Sequence, residues 1–354
     1  MSTVLFRVDG SSHLGMGHVM RCLAFAEGLR DRKIPSVFVT KVRERSVTDL
    51  IRMHGYDVET LSPQASDTEE TESIRQIAGH RRATLIVTDI CHRWALTQKP
   101  VLDAYHQQLQ EAERVMALAG ADVMDRPCDI LVNPYVKSSY PTPPSNGKPM
   151  RLLGPAYFIF RREFSAAATT ERSIAQKGQR ILVTVGGGDE LRFTVRIAKA
   201  LCAIGTREMS LRIVLGPAYP QDLKAAVQAV LEDFPGESVL IDQASNMAEQ
   251  FLWADLAVIG DGLTKYEAAV TGTPSLMLSR FDSEGELNQE FARTGTTIHV
   301  GDGAAIATGA LAEQIQQLLN DVSRRTAMSQ CGKALLDGRG LERILAAIPA
   351  EVIR

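Results

Sequence analysis

Short β-branched runs alternate with helical stretches along this chain, and that rhythm leaves few folds open, because it is how a parallel sheet with crossover helices is written. In the first half "VLFRV" leads into a helix over roughly 18–31. "SVFVT", a helix near 45–54, "TLIVTDI" after a polar helical stretch, a helix near 100–112, "RVMALAG" and "DILVNPY" follow, which makes five strands. "KSSYPTPPSNGKPM" at 137–150 is too rich in Pro, Ser and Gly for a helix or a central strand and reads as an exposed loop. The rhythm then restarts with "RILVTV", a helix from about 190, "LRIVLG", a helix near 220–232, "SVLID" and a helix near 246–252. "LAVIG", a helix near 264–271, "PSLML", a helix near 286–294, "TIHV" and closing helices complete it.

Two such halves predict an α/β protein of two Rossmann-like domains facing each other across a cleft, with the ligand in the cleft. The length of 354 residues suits two domains. The expected division is 1–165, a linker at 166–178 where "SAAATTERSIAQKGQ" turns polar, 179–335, and a closing helix at 336–354 that can cross back to the first domain.

Hydrophobic content of 45% and charged content of 23% are those of a soluble globular protein. A formal net charge of -3 without a long Lys/Arg block gives no reason to expect nucleic acid. Arg7 and Asp9 interrupt what would be the apolar core of a signal peptide, and no run reaches the ~18 apolar residues of a membrane span. A cytoplasmic location without integral membrane association is expected. The five cysteines, Cys22, Cys91, Cys128, Cys202 and Cys331, form no Cys-x-x-Cys pair and read as small hydrophobes, with no metal site.

Three glycine-rich strand-to-helix turns stand out: "DGSSHLGMGH" (9–18), "VGGGDE" (185–190) and "GDGLTKYE" (260–267). Amides at a helix N-terminus attract anions, so two such turns in the second half suggest a diphosphate held there. Met20 stands where a dinucleotide fingerprint needs a third small residue, "VFVTK" ends without an acidic residue for a ribose, and no Gly-Lys-Ser/Thr follows any turn. Neither NAD nor a Walker phosphate loop is indicated. Glu267, three residues after Thr264, has the spacing of a capping box and equally suits two ribose hydroxyls. His18 at a helix start is either an exposed partner of its loop or, since the helix terminus disfavours an imidazolium, a general base. His13 lies in the loop beside Ser11 and Ser12 as a substrate contact or a bystander.

The sequence resembles the UDP-2,4-diacetamido-2,4,6-trideoxy-β-L-altropyranose hydrolases of pseudaminic acid biosynthesis and the related spore-coat polysaccharide proteins. Both are similar in architecture to the two-domain glycosyltransferase of peptidoglycan lipid II synthesis, a GT-B fold. The stretches that carry the resemblance are "DGSSHLGMGHVMRCLAFAEGL", "LIVTD", "CDILVNPY", "GPAYFIFRREF", "VTVGGGDE", "NMAEQFLWADLAVIGDGLTKYEAAVTGTPSLML", "LNQEFARTG" and "LDGRGLERIL", spanning nearly the whole chain.

The resemblance implies hydrolysis of a UDP-linked 6-deoxy amino sugar at its anomeric carbon, with inversion and without a required metal or other cofactor. It places His18 at the catalytic position, with Asp9, His13, Gly15, Gly17 and Asp89 on the sugar side. Gly187, Gly188 and Asp189 fall on the phosphate loop, Met247 and Thr264 to Glu267 on the uridine pocket, and Asn288 and Gln289 on the segment reaching the diphosphate or sugar. The chain departs from that pattern in "ALAGADVMD", with only Asp122 and Asp125 after the fifth strand, in Asp189-Glu190, and in the insertion at 137–150. These departures fall mainly on the sugar side. An inverting GT-B glycosyltransferase of surface polysaccharide synthesis is the nearest alternative, because an acceptor can replace water without altering a nucleotide contact. The basic run "KVRERSVTDLIR" at 41–52 would then meet an acceptor, or is a solvated helix. A nucleotide-sugar-binding subunit without catalysis is a further alternative, against which His18 argues.

Overall fold

The computed structural model describes residues 2–11, 15–41, 45–90, 99–120, 123, 125–142, 147–216, 219–280 and 285–353. The chain divides into two compact units, unit 1 comprising residues 1–161 and 339–354, and unit 2 comprising 162–338.

Unit 1 is built on strands β1 (Thr3–Val8), β2 (Ser36–Thr40), β3 (Asp57–Thr60), β4 (Ala83–Asp89), β5 (Arg114–Leu118), β6 (Ile130–Asn133) and β7 (Met150–Leu153). They form one parallel sheet in the order β3-β2-β1-β4-β5-β6-β7. Its helices are α1 (Gly17–Arg30), α2 (Arg45–Met53), α3 (Asp67–Arg81) and α4 (Lys99–Gln110). A sheet covered on both faces needs apolar residues on both sides of its central strands, which is why "VLFRV" does not alternate. Phe6 illustrates the packing, stacked on Phe38 at 5.1 Å and edge-on to Phe25 of α1 at 5.5 Å. A capping box that the sequence reading did not pick out opens α3, where Ser66 and Glu69 bond each other's backbone amides.

Two strands escape the sequence reading. β3 and β7 are the two edges of the sheet, and their sequences, "DVET" and "MRLL", lack a fully buried run because only one side of each strand is paired. The stretch expected as a loop to residue 150 therefore already ends in a strand.

Unit 2 contains β8 (Arg180–Thr184), β9 (Ser210–Leu215), β10 (Glu237–Asp242), β11 (Leu256–Gly260), β12 (Ser275–Ser279) and β13 (Thr297–Asp302). The sheet is parallel, in the order β10-β9-β8-β11-β12-β13. Its helices are α5 (Arg162–Ala167), α6 (Phe193–Ile204), α7 (Gln221–Leu231), α8 (Met247–Trp253), α9 (Thr264–Val270), α10 (Gly285–Ala292), α11 (Thr308–Asn320) and α12 (Val322–Leu335). The last helix, α13 (Gly340–Ala347), belongs to unit 1, where Ile344, Leu345 and Ile348 join the core containing Phe6 and Phe25.

Residues 166–178, expected as a linker, fold with unit 2. Arg172 donates to the carbonyls of Phe251, Leu252 and Ala254 at the end of α8. Arg325 donates to Leu318 and Leu319 at the end of α11 and to Ala175 and Gln176. Lys333 donates to Ala167 and Ala168. Three cations thus sit on helix C-terminal carbonyls, where both hydrogen bonding and the helix dipole favour them. Burial pulls the Arg172 guanidinium down to about 10.

Candidate active site

Both sheets reverse strand order at one place, between β1 and β4 in unit 1 and between β8 and β11 in unit 2. In open α/β sheets the carboxyl ends of the strands at such a switch point form the ligand crevice.

In unit 1 the switch point carries His18 and Asp89. β1 runs into the glycine turn, where Gly15 takes φ 79° and donates its amide to Ser11. A side chain there would be strained. The turn delivers His18 into the first turn of α1, and β4 ends on Asp89, in register with Val8. His18 Nδ1 lies 2.7 Å from Asp89 Oδ1. A carboxylate only accepts, so Nδ1 donates and the neutral ring keeps its lone pair on Nε2.

Arg21, one turn further along α1, clamps the same carboxylate, with Nη2 2.7 Å from Oδ1 and Nε 2.9 Å from Oδ2. Its Nη1 reaches the Tyr135 hydroxyl at 3.3 Å, and the Cys22 thiol donates to Oδ2 at 3.7 Å. Asp89 is fully buried; although burial opposes its ionisation, Arg21 and His18 hold its carboxyl well below the usual carboxylate range. Sequence reasoning missed Arg21. The signal was present: it is the lone charge in "HVMRCLAFA", three residues from His18 and hence on the same helix face.

Asp9, expected on the sugar side, is drawn into a different network. Its two oxygens accept from Arg7 at 2.6 and 2.8 Å, and one also accepts from Thr40 Oγ1 and the Lys41 amide. Arg7 in turn binds Glu70, which pairs with Lys41 and accepts from the Tyr105 hydroxyl. Against the cost of burial, Asp9, Tyr105 and Glu70 keep the Arg7 guanidinium more firmly protonated than usual. Asp9 thereby ties β1 to β2 at their carboxyl ends. His13 and Asp122 lie outside the described residues, as does Cys91. Cys22 and Cys128 are buried and Cys202 and Cys331 half-buried. Of the basic run, Lys41 is held by Glu70, and Arg52 lies 3.6 Å from Asp49 on the exposed side of α2.

In unit 2 the glycine loop 186–188 follows β8, and two tight approaches fix it. A Cβ at Gly216 would lie 2.4 Å from the Gly186 carbonyl oxygen, and one at Gly260 2.7 Å from that of Val185. Asp189, expected on the phosphate loop, also anchors the helix that follows. Its carboxylate accepts the amides of Phe193 and Thr194 at 2.8 and 2.7 Å, so the first turn of α6 is capped from within the chain. The helix starts at Phe193 rather than near 190 because Arg192 adopts φ 56°. An anion in this loop therefore has the amides around Gly187 and Gly188 to meet, while those of Phe193 and Thr194 are engaged.

Glu267 is half-buried in the first turn of α9, and no side chain caps that helix, so the Thr264–Glu267 capping box is not formed. Thr264 is buried. Met247 opens α8 and is half-buried, behind the cap that Asn246 gives the Glu249 amide. Asn288 is buried as the hub of a polar cluster. It accepts from Lys265 Nζ at 2.8 Å and donates to Asp261 and to Ser279, whose hydroxyl meets His299 at 2.5 Å. Asp261 also accepts from the amide and Nε of Arg280. Burial, with Lys265 nearby, lowers the His299 imidazole below its ordinary value. Gln289, the next residue, is exposed. Among the described residues no group of three His, Cys, Asp or Glu gathers as a metal site, and no helix is long and apolar enough to cross a membrane.

No protein-family model matches the chain. It is 25% identical over 345 residues to the spore coat polysaccharide biosynthesis protein SpsG of Bacillus subtilis (strain 168), covering 96% of each. It is 27% identical over 200 residues to a UDP-N-acetylglucosamine--N-acetylmuramyl-(pentapeptide) pyrophosphoryl-undecaprenol N-acetylglucosamine transferase of Xanthomonas campestris, covering 54% of this chain and 45% of that one. Among solved structures, MurG of Acinetobacter baumannii superposes with a TM-score of 0.71 at 15% identity, over 98% of this chain and 99% of that one. The chain has the GT-B fold, two parallel-sheet α/β units in one polypeptide.

Proposed function

We propose that this chain is a UDP-sugar-dependent, glycosyltransferase-like enzyme of polysaccharide biosynthesis, with His18 as its general base. The observation that carries this reading is the His18–Asp89 hydrogen bond at the switch point of the unit 1 sheet. It fixes the imidazole tautomer that can accept a proton at Nε2, and it does so at the place where this fold class binds substrates. The similarity to SpsG and to the Xanthomonas campestris transferase supports a UDP-sugar and a polysaccharide context.

In the reaction, the oxygen of a nucleophile attacks the anomeric carbon, its proton passes to His18 Nε2, and the bond from that carbon to the diphosphate oxygen breaks with its electron pair leaving on UDP. Charge grows on the diphosphate, which the amides of Gly187 and Gly188 and the start of α9 at Thr264 are suited to stabilise. Glu267 takes the ribose hydroxyls and Met247 packs on the uracil. His13, Gly15, Gly17 and Gln289 contact the sugar or diphosphate. Asp89 orients His18, while Asp9, Asp189 and Asn288 act by holding the strands and loops that carry these groups. A positioned base contributes on the order of 100- to 10,000-fold, or about 3 to 5 kcal/mol of barrier.

The nucleophile distinguishes two reactions. The similarity to a named transferase favours an acceptor hydroxyl. The sequence resemblance to the altropyranose hydrolases favours water, and with it a free 6-deoxy amino sugar destined for a pseudaminic-type acid. Incubation with UDP-activated amino sugars in oxygen-18 water separates them. Transfer predicts no UDP release until a sugar acceptor is added; hydrolysis predicts release without acceptor and label at the sugar's C1. Absence of UDP release under both conditions, across a panel of UDP-sugars and acceptors, contradicts the proposal.

A further inference from the structure

The Asp89 carboxylate is fully buried and, among the described residues, is met by four donors: His18 Nδ1 and Arg21 Nη2 on one oxygen, Arg21 Nε and the Cys22 thiol on the other. A carboxylate offers about four acceptor sites, so the lone pairs are matched by protein groups. Its negative charge still needs a partner, because a buried ion without one is expensive. Among the described residues, two groups in contact can supply the positive charge, His18 when protonated and Arg21 always.

We propose that Arg21 is a positioning residue that neutralises Asp89, so that Asp89 can orient His18 without locking it in the protonated form. The inference rests on the reading of His18 as the base. Without Arg21, an imidazolium at His18 is what would balance the buried carboxylate among the described residues, and a base that already carries its proton cannot take another. With Arg21 in place the carboxylate is paired whichever form His18 adopts. The two donors share Oδ1 at 2.7 Å each, which puts the guanidinium charge within direct electrostatic reach of the imidazole. Arginine suits the task because its planar fork grips both carboxylate oxygens, and the third arm is set by the Tyr135 hydroxyl at 3.3 Å. Tyr135 is itself placed by Asn133 Oδ1, which accepts its amide, and by the Tyr140 hydroxyl, which donates to its carbonyl. Asp89 stays ionised below the usual carboxylate range despite its burial, which agrees with this pairing. Among the described residues, the titratable or charged groups bonded to the carboxylate are His18, Arg21 and Cys22 from α1, with Tyr135 behind Arg21 from the segment after β6.

The test follows the protonation midpoint of His18 by nitrogen-15 NMR of the substrate-free full chain, alongside the pH profile of UDP release. In Arg21→Gln the midpoint and the acid limb of the profile move to higher pH by about one unit or more, the size expected when a countercharge at this range is removed. Arg21→Lys keeps the charge and loses the fork, so its midpoint stays near that of the wild type while kcat falls several-fold. Because Arg21→Gln strands a buried carboxylate, the same substitution is also made in Asp89→Asn, where no carboxylate remains. There, adding Arg21→Gln again moves the midpoint upward. An unmoved midpoint in both backgrounds, or a loss of kcat uniform across pH with the limb in place, overturns the proposal. A moved midpoint in a protein that turns over no UDP-sugar would retire the functional reading and leave the electrostatic role of Arg21 standing.

Discussion

His18 of α1 and Asp89 at the end of β4 are 71 residues apart in sequence, and their side chains meet at 2.7 Å across the point where the unit 1 sheet reverses its strand order. Asp89→Asn replaces the acceptor by an amide that can present a donor, which favours the wrong imidazole tautomer. The expected outcome is a fall in kcat on the order of 100- to 10,000-fold with UDP affinity nearly unchanged. Steady-state kinetics and UDP titration by calorimetry check it.

Arg7→Met addresses stability alone. It leaves Asp9 and Glu70 as buried carboxylates without their shared cation. Breaking a buried pair in this way costs about 3 to 5 kcal/mol. Urea denaturation is expected to show a midpoint lowered accordingly, whereas a change below about 0.5 kcal/mol, typical of exposed pairs, would place the network at the surface energetically.

Acid should destabilise the fold in two stages. Burial pushes His106 down to about 4, so the stability its neutral form provides is present above the unfolded value of about 6.5 and is lost as pH falls through 4. This is worth on the order of 3 kcal/mol. Asp89, held below the usual carboxylate range by Arg21 and His18 against its burial, contributes stability present above about pH 4 and lost only below it. Denaturation at a series of pH values should show the upper stage flattened in His106→Gln and the lower one in Asp89→Asn.

Asp189→Ala removes the internal cap of α6 and frees the amides of Phe193 and Thr194. Losing a cap costs about 0.5 to 2 kcal/mol. The glycine loop it anchors should loosen, raising KM for the UDP-sugar several-fold while kcat changes little. A kcat effect as large as that of Asp89→Asn would mean that Asp189 takes part in the chemistry.

The central strands were legible because burial on both faces forces continuous apolar runs, as in "VLFRV" and "LAVIG". The edge strands β3 and β7 were not, since half-exposed positions accept Asp, Glu and Arg. The glycine turns revealed where a ligand could approach, but they gave no account of which carboxylates are already engaged. Asp9 and Asp189 look alike in sequence, each beside glycines at a strand end. Their partners, Arg7 on the same strand and amides four and five residues on, appear only once the backbone is folded. The cluster of Lys265, Asp261 and Ser279 around Asn288 likewise appears only in the folded chain.

The most direct measurement is UDP release and UDP affinity in His18→Ala, taken on the same preparation with the best UDP-sugar and acceptor pair. The expected result is turnover lowered at least 100-fold, the minimum for loss of a positioned base, with UDP affinity within a factor of about two. Turnover at the wild-type rate, or UDP binding lost together with turnover, would contradict the assignment of His18 as the base.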